Sequence, residues 1–185
     1  LDLIVATPTL LYLNDGSGLF TDVTAMSGLG LAASAVAYGD YDLDGCLDLV
    51  FGSSRSEDYL SDAGNEKSKI YRNTCGTGNH YFRVDLLGTE SNRDAIGARL
   101  VTVAGDLRQT REIYGGLGYQ QDEMVAHFGL AHHTRIDSLI VQWPSGHIDV
   151  LADLDVDQTI RLIEGGTHHP AQPSVWVTAP PPTLT

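Results

Sequence analysis

The stretch Asp40-Tyr41-Asp42-Leu43-Asp44-Gly45-Cys46-Leu47-Asp48 places carboxylates at positions 1, 3, 5 and 9 of nine residues. They converge on one point only if the chain turns sharply between them, and Gly45 at the sixth position permits that turn. Cys46, at the seventh, would contribute its backbone carbonyl and not its sulfur. Hard oxygen donors in a flexible loop suit Ca²⁺, whereas Zn²⁺ and Cu²⁺ prefer nitrogen or sulfur. Four carboxylates packed this closely also repel one another without a cation. The expected metal ligands are therefore Asp40, Asp42, Asp44, Cys46 through its carbonyl, and Asp48. Helix-flanked calcium loops have twelve residues and end in Glu. This loop has nine and lies between the strand-like runs Ala35–Tyr38 and Leu47–Phe51.

Other groupings are weaker. His127, His132 and His133 form no convincing metal set. Asp153-Leu154-Asp155-Val156-Asp157 alternates acids but has Gln158 where the turning glycine belongs, so it is expected as an acidic turn before a strand. Gly115-Gly116-Leu117-Gly118 lacks the strand–loop–helix context of a dinucleotide loop. Ser145, in a tight Pro-Ser-Gly turn beside His147, has nothing to make it a nucleophile. Asp94 with Arg93 or Arg99 is expected as a structural ion pair. No pair of carboxylates outside the loop is placed for hydrolysis, and no catalytic role is expected anywhere in the chain.

The elements that must position the loop are short. Runs of 4–8 residues rich in Val, Ile, Leu, Thr and Tyr recur between Gly, Asp, Asn and Pro, from Leu1–Ala6 through Tyr81–Leu87, Ala98–Ala104 and Ser138–Trp143 to Thr159–Ile163. The expected fold is all-β, with partial propeller-type blades followed by a β-sandwich-like domain and a Pro-rich C-terminal tail. The nearest thing to a helix is Asp122–His133, which Gly129 breaks. The net charge of −13 over 185 residues argues against a nucleic-acid partner. No apolar run reaches the roughly 18–20 residues of a membrane span. The chain starts at Leu1, without a Met or a signal-peptide pattern, so either a leader has been removed or a longer protein is expected.

An internal repeat is visible. Leu1-Asp2-Leu3-Ile4-Val5 matches Leu47-Asp48-Leu49-Val50-Phe51, and Leu11-Tyr12-Leu13-Asn14 matches Ile70-Tyr71-Arg72-Asn73, with Ser53–Ser68 as a polar insertion. Val36-Ala37-Tyr38-Gly39, the acidic loop and Leu49-Val50-Phe51-Gly52 together resemble the FG-GAP or VCBS repeat of integrin-type β-propellers. The stretch from Leu11 through Asn14-Asp15-Gly16-Ser17-Gly18 to Thr24 resembles the linking segment of the same repeats. That resemblance implies Ca²⁺ on the five ligands named above. Of an equivalent first loop only Asp2 is present.

Residues from about 79 to 165 resemble a second family, the ASPIC/UnbV domain. The matching motifs include Asn92-Arg93-Asp94-Ala95-Ile96-Gly97, Gly115-Gly116-Leu117-Gly118-Tyr119, His127-Phe128-Gly129-Leu130 and Trp143-Pro144-Ser145-Gly146. The resemblance implies an extracellular β-rich module and supplies no catalytic residues.

Three segments follow: 1–79 with the calcium loop at 40–48, 80–165, and the Pro-rich tail 166–185. The tail holds five of the seven prolines and a strand-like pentamer at 174–178. It reads either as a loose stalk or as a strand that docks on an open sheet edge. One and a half blades cannot close a propeller ring, so open edges are expected, and these invite self-assembly or pairing with a surface protein. Cys46 and Cys75 are placed to form one disulfide, which suits a secreted or cell-surface location. The expected function is a calcium-stabilised adhesion or surface-structural module; its open edges are accounted for either by a larger propeller protein of which it is the end or by filament formation through strand pairing between chains. The alternative is a carbohydrate-binding or hydrolase-accessory module, with Trp143, Tyr114 and Tyr119 as candidate glycan platforms.

Overall fold

The computed structural model describes residues 2–5, 9–29, 35–52, 68–74, 78–116 and 121–166, and the backbone of 168–170. The fold is all-β, with one short helical turn, α1 (Thr24–Ser27). Strands β1 (Leu3–Val5), β2 (Leu10–Asn14) and β3 (Phe20–Asp22) form one antiparallel sheet. Strands β4 (Ala35–Gly39), β5 (Asp48–Gly52) and β6 (Lys69–Tyr71) form a second.

The repeat in the sequence is a repeat in register. Leu3 faces Tyr12 across β1 and β2, as Leu49 faces Tyr71 across β5 and β6. Asn14 N donates to Asp2 Oδ1 at 3.0 Å, and Asn73 N donates to Asp48 Oδ1 at 2.8 Å. The two small sheets share one small core, in which Val36 and Phe51 are buried against Ile4, Leu29, Leu49 and Tyr71. The rings of Phe51 and Tyr71 meet edge to face at 5.4 Å.

From His80 onward the chain builds a two-sheet sandwich. One sheet has the order β10 (Ala126–Ala131), β7 (His80–Leu87), β13 (Gln158–Ile163), β14 (His168–Pro170). The other has the order β12 (Ile148–Asp155), β11 (Arg135–Gln142), β8 (Arg99–Ala104), β9 (Leu107–Glu112). All neighbours run antiparallel except β7 and β13, which are parallel; the long crossover that a parallel pair needs runs through β8 to β12. Phe82, Val84, Leu100, Phe128, Leu139 and Ile160 lie at the centre of the core with no more than 1% of their surface exposed. Burying each such side chain contributes roughly 1.5–3 kcal/mol.

The period of two along a strand then decides what the outside of the first sheet carries. Phe82, Val84 and Leu86 point into the core, so Tyr81, Arg83 and Asp85 point out. On β10, Phe128 and Leu130 point in and His127 points out.

The structure departs from the sequence reading in several places. The helix-like stretch Asp122–His133 contains strand β10 instead. Gly129 breaks no helix there; it sits where the pairing with β7 slips, between Gly129 and Ala131, as a glycine at a bulge does. The acids Asp153 and Asp155 end β12 instead of lying in a turn, and only Asp157 sits in the turn before β13. The sandwich does not stop at 165, because β14 pairs with β13 within the expected tail. Cys75, the insertion 53–67 and the pentamer 174–178 lie outside the described residues.

Candidate metal centre

The acidic loop connects β4 to β5, and two left-handed residues shape it: Leu43 at φ 60° and Gly45 at φ 89°. The structure brings Asp40, Asp42 and Asp48 together, with one carboxylate oxygen of each within 4.8 Å of the others. Asp40 and Asp48 are buried, at 3% and 1% exposure, and Asp42 lies at the open side. Asp48 is tied down by Tyr41 N (3.1 Å) and Asn73 N (2.8 Å), and Asp40 Oδ2 accepts from Gly45 N (3.1 Å). Asp40 Oδ1 is buried with no hydrogen-bond partner. A buried carboxylate oxygen costs free energy unless something satisfies it. The donor set is all oxygen, so the residues fit a hard cation such as Ca²⁺.

Asp44 does not join the three. Its Oδ1 accepts from Cys46 N at 2.9 Å and its Oδ2 from Arg72 at 2.9 Å. Arg72 Nε also meets Asp42 Oδ2 at 2.6 Å, so one exposed guanidinium bridges two acids of the loop. Cys46 is buried beside them.

The loop is seated on the outer face of the sandwich. Gly45 lies so close to the Tyr81 ring that an added Cβ would fall 2.2 Å from it, so this position needs glycine for space as well as for φ. His127 Nε2 donates to the Gly45 carbonyl at 2.8 Å. The buried Arg83 guanidinium reaches Asp40 Oδ2 at 3.5 Å and Glu123 Oε1 at 2.5 Å. Tyr38 N donates to Asp122 Oδ1 at 3.1 Å.

Burial is the main influence on the charged groups here. It pushes the Asp40 carboxyl up despite Arg83 and the hydrogen bond from Gly45. It pushes Glu123 up against the pull of Arg83. It pushes His127 down, keeping the imidazole neutral with its proton on the nitrogen that faces Gly45.

A second polar cluster escaped the sequence reading. Glu164 is 6% exposed and accepts from Thr89 N, Glu90 N and Ser91 N at 2.8–2.9 Å, and from the hydroxyls of Ser91 (2.7 Å) and Ser145 (2.5 Å). Burial opposes its ionisation, but the hydrogen bonds from Ser145, Ser91 and Thr89 prevail and bring its carboxyl down to about 2. Ser145 therefore helps to hold this turn together through its hydroxyl. Asp149 joins the same region, accepting from Trp143 Nε1 at 2.7 Å and meeting His147 Nε2 at 3.1 Å.

The remaining candidates are placed as follows. Trp143 is 3% exposed, so its face is no sugar platform; Tyr114 is exposed and Tyr119 lies outside the described residues. Arg135 pairs with both Asp153 and Asp155. Asp94 forms no ion pair with Arg93 or Arg99, contrary to expectation; it lies exposed in the loop before β8.

The architecture defines a chain with two small repeat-like sheets packed through an acidic loop onto a two-sheet sandwich. Residues 88–169 of that sandwich match the ASPIC and UnbV family model. The match begins just after β7, although β7 is a central strand of the sandwich. No curated protein matches the chain.

Proposed function

We propose that this chain is a calcium-stabilised, extracellular surface-structural module of the adhesion type, in which the ion fixes the repeat segment to the sandwich. The observation that carries this reading is the cluster of Asp40, Asp42 and Asp48, with a buried Asp40 oxygen lacking any partner, in a loop whose other side rests on Tyr81, Arg83 and His127. Asp40, Asp42 and Asp48 would hold Ca²⁺, joined by Asp44 and the Cys46 carbonyl as in the FG-GAP/VCBS repeats that the segment resembles. Bound there, the ion neutralises the crowded carboxylates. The chain's own residues do the rest: Gly45 and His127 orient the loop, and Arg83 anchors its first acid.

A Cys46–Cys75 disulfide and secretion belong to the same proposal. A mass gain of two hydrogen atoms on reduction, seen in protein recovered from an oxidising compartment, would support both. Self-association through open sheet edges also belongs to it. Sedimentation of the full chain against one ending at residue 170, which keeps β14, tests whether the last fifteen residues drive it; equal assembly of both would remove that mechanism. Of the three aromatic candidates for a glycan platform, Tyr114 is the one that is both described and exposed.

Thermal unfolding in millimolar Ca²⁺ and in excess EGTA tests the calcium reading. At ten to a hundred times Kd, binding adds about 1.4–2.7 kcal/mol, which raises Tm by roughly 3–10 °C for a chain of this size. Asp48→Asn should abolish most of that shift. Identical midpoints with and without Ca²⁺ in the unmodified protein would refute the reading.

A further inference from the structure

We infer that Arg72 is a built-in counter-cation of the acidic loop, which Ca²⁺ must displace, so that this residue sets the affinity of the site. The inference deepens the calcium reading and rests on it. Its basis is the position of Asp44. The spacing of the acids makes Asp44 a ligand, yet the cluster holds only Asp40, Asp42 and Asp48. Arg72 takes the free oxygen of Asp44 at 2.9 Å, and the same guanidinium binds Asp42 through Nε at 2.6 Å.

Without the ion, this arrangement sets one positive charge between two of the four acids. The other two are buried, and Asp40 Oδ1 keeps no partner at all, so the guanidinium answers only the open side of the loop. A divalent ion at the cluster would face a positive charge already sitting on Asp42. Arg72 must then swing away, which frees Asp42 and releases Asp44 to turn inward. Its side chain is 54% exposed and follows the end of β6, so it can turn toward solvent. Arg83 differs, because it is buried between Asp40 and Glu123 and cannot leave. The loop thus has one fixed cation beneath it and one exchangeable cation above it.

Calorimetric titration of the full chain with CaCl₂ tests the inference. Breaking an exposed two-point ion pair and removing a nearby positive charge from a divalent ion together predict that Arg72→Gln binds about 3- to 10-fold more tightly than the unmodified protein. Arg72→Lys, which keeps the charge, should lie closer to the unmodified protein than to Arg72→Gln. In the unmodified protein, the Arg72 Nε–H resonance should move on saturation with Ca²⁺. Equal or weaker binding by Arg72→Gln, or an unmoved Nε–H resonance in calcium-saturated protein, overturns the inference while leaving the calcium site standing. Folded protein that takes up no Ca²⁺ in any of the three forms overturns both.

Discussion

Glu164 illustrates how a single side chain can close a fold. Its carboxylate gathers three backbone N–H groups of residues 89–91 and two hydroxyls, one of them from the turn that joins β11 to β12. Its carboxyl falls from 4.5 to about 2 in the folded protein, so the stabilisation is complete above about pH 4.5 and is lost as the pH drops toward 2. Glu164→Gln should flatten the pH profile of stability across that window and cost about 1–3 kcal/mol at neutral pH. Urea unfolding between pH 2.5 and 7 checks this, and parallel profiles for the two proteins would contradict it. Gly45→Ala belongs to the same scale. The left-handed backbone alone costs a non-glycine residue about 1–2 kcal/mol, and the Tyr81 ring must also move, so the variant should unfold earlier and bind Ca²⁺ more weakly in calorimetric titration.

The two residues differ in how plainly the sequence announces them. Gly45 and the acids around it form a local pattern with fixed spacing, which is legible without a structure. Glu164 has none: its backbone donors lie 73–75 residues away in the chain, and the parallel pairing of β7 with β13 brings them near. Asp44 shows the reverse failure. Its spacing makes it a ligand, but spacing is silent on Arg72, which arrives just past the end of β6, 28 residues on, and claims it.

At the scale of elements, most strands follow the runs of branched and aromatic residues in the sequence, because those residues pack on a half-buried pleated surface. β10 was hidden. Its alternation of Ala126, Phe128 and Leu130 with His127 and Gly129 is a strand's period, but the glycine and the polar residues before it obscured that. β14 was hidden as well, since a three-residue strand ending in proline has almost no pattern to show. Two substitutions test the elements as placed. Phe82→Ala, in the middle of β7 at 0% exposure, should cost roughly 3–5 kcal/mol in urea unfolding. Gly88 opens the loop held by Glu164, and a Cβ there would stand 2.1 Å from the Asn92 carbonyl oxygen. Gly88→Ala should therefore destabilise the loop, and faster amide exchange at residues 89–91 would show it.

At the scale of the whole molecule, the acidic loop is the joint. The repeat sheets have only a small core of their own, built on Val36 and Phe51, whereas the sandwich has a large one. Among the described residues the ties between the two are polar, Asp40 to Arg83, Gly45 to His127 and Tyr38 to Asp122, with the Tyr81 ring packed against Gly45. Polar contacts around crowded carboxylates are the kind that a cation strengthens by removing repulsion. The excess of acids over bases in the chain makes that repulsion a property of the whole protein and not of the loop alone. An ion bound at Asp40, Asp42 and Asp48 should then stiffen the sandwich face that the loop touches as well as the loop itself.

Amide hydrogen exchange of the full chain with and without millimolar Ca²⁺ measures this directly. The account predicts slower exchange with Ca²⁺ both at residues 40–48 and at 80–85 and 126–128, the segments that carry Tyr81, Arg83 and His127. Exchange that is unchanged by Ca²⁺, or slowed in the loop while the sandwich strands stay as they were, would contradict it.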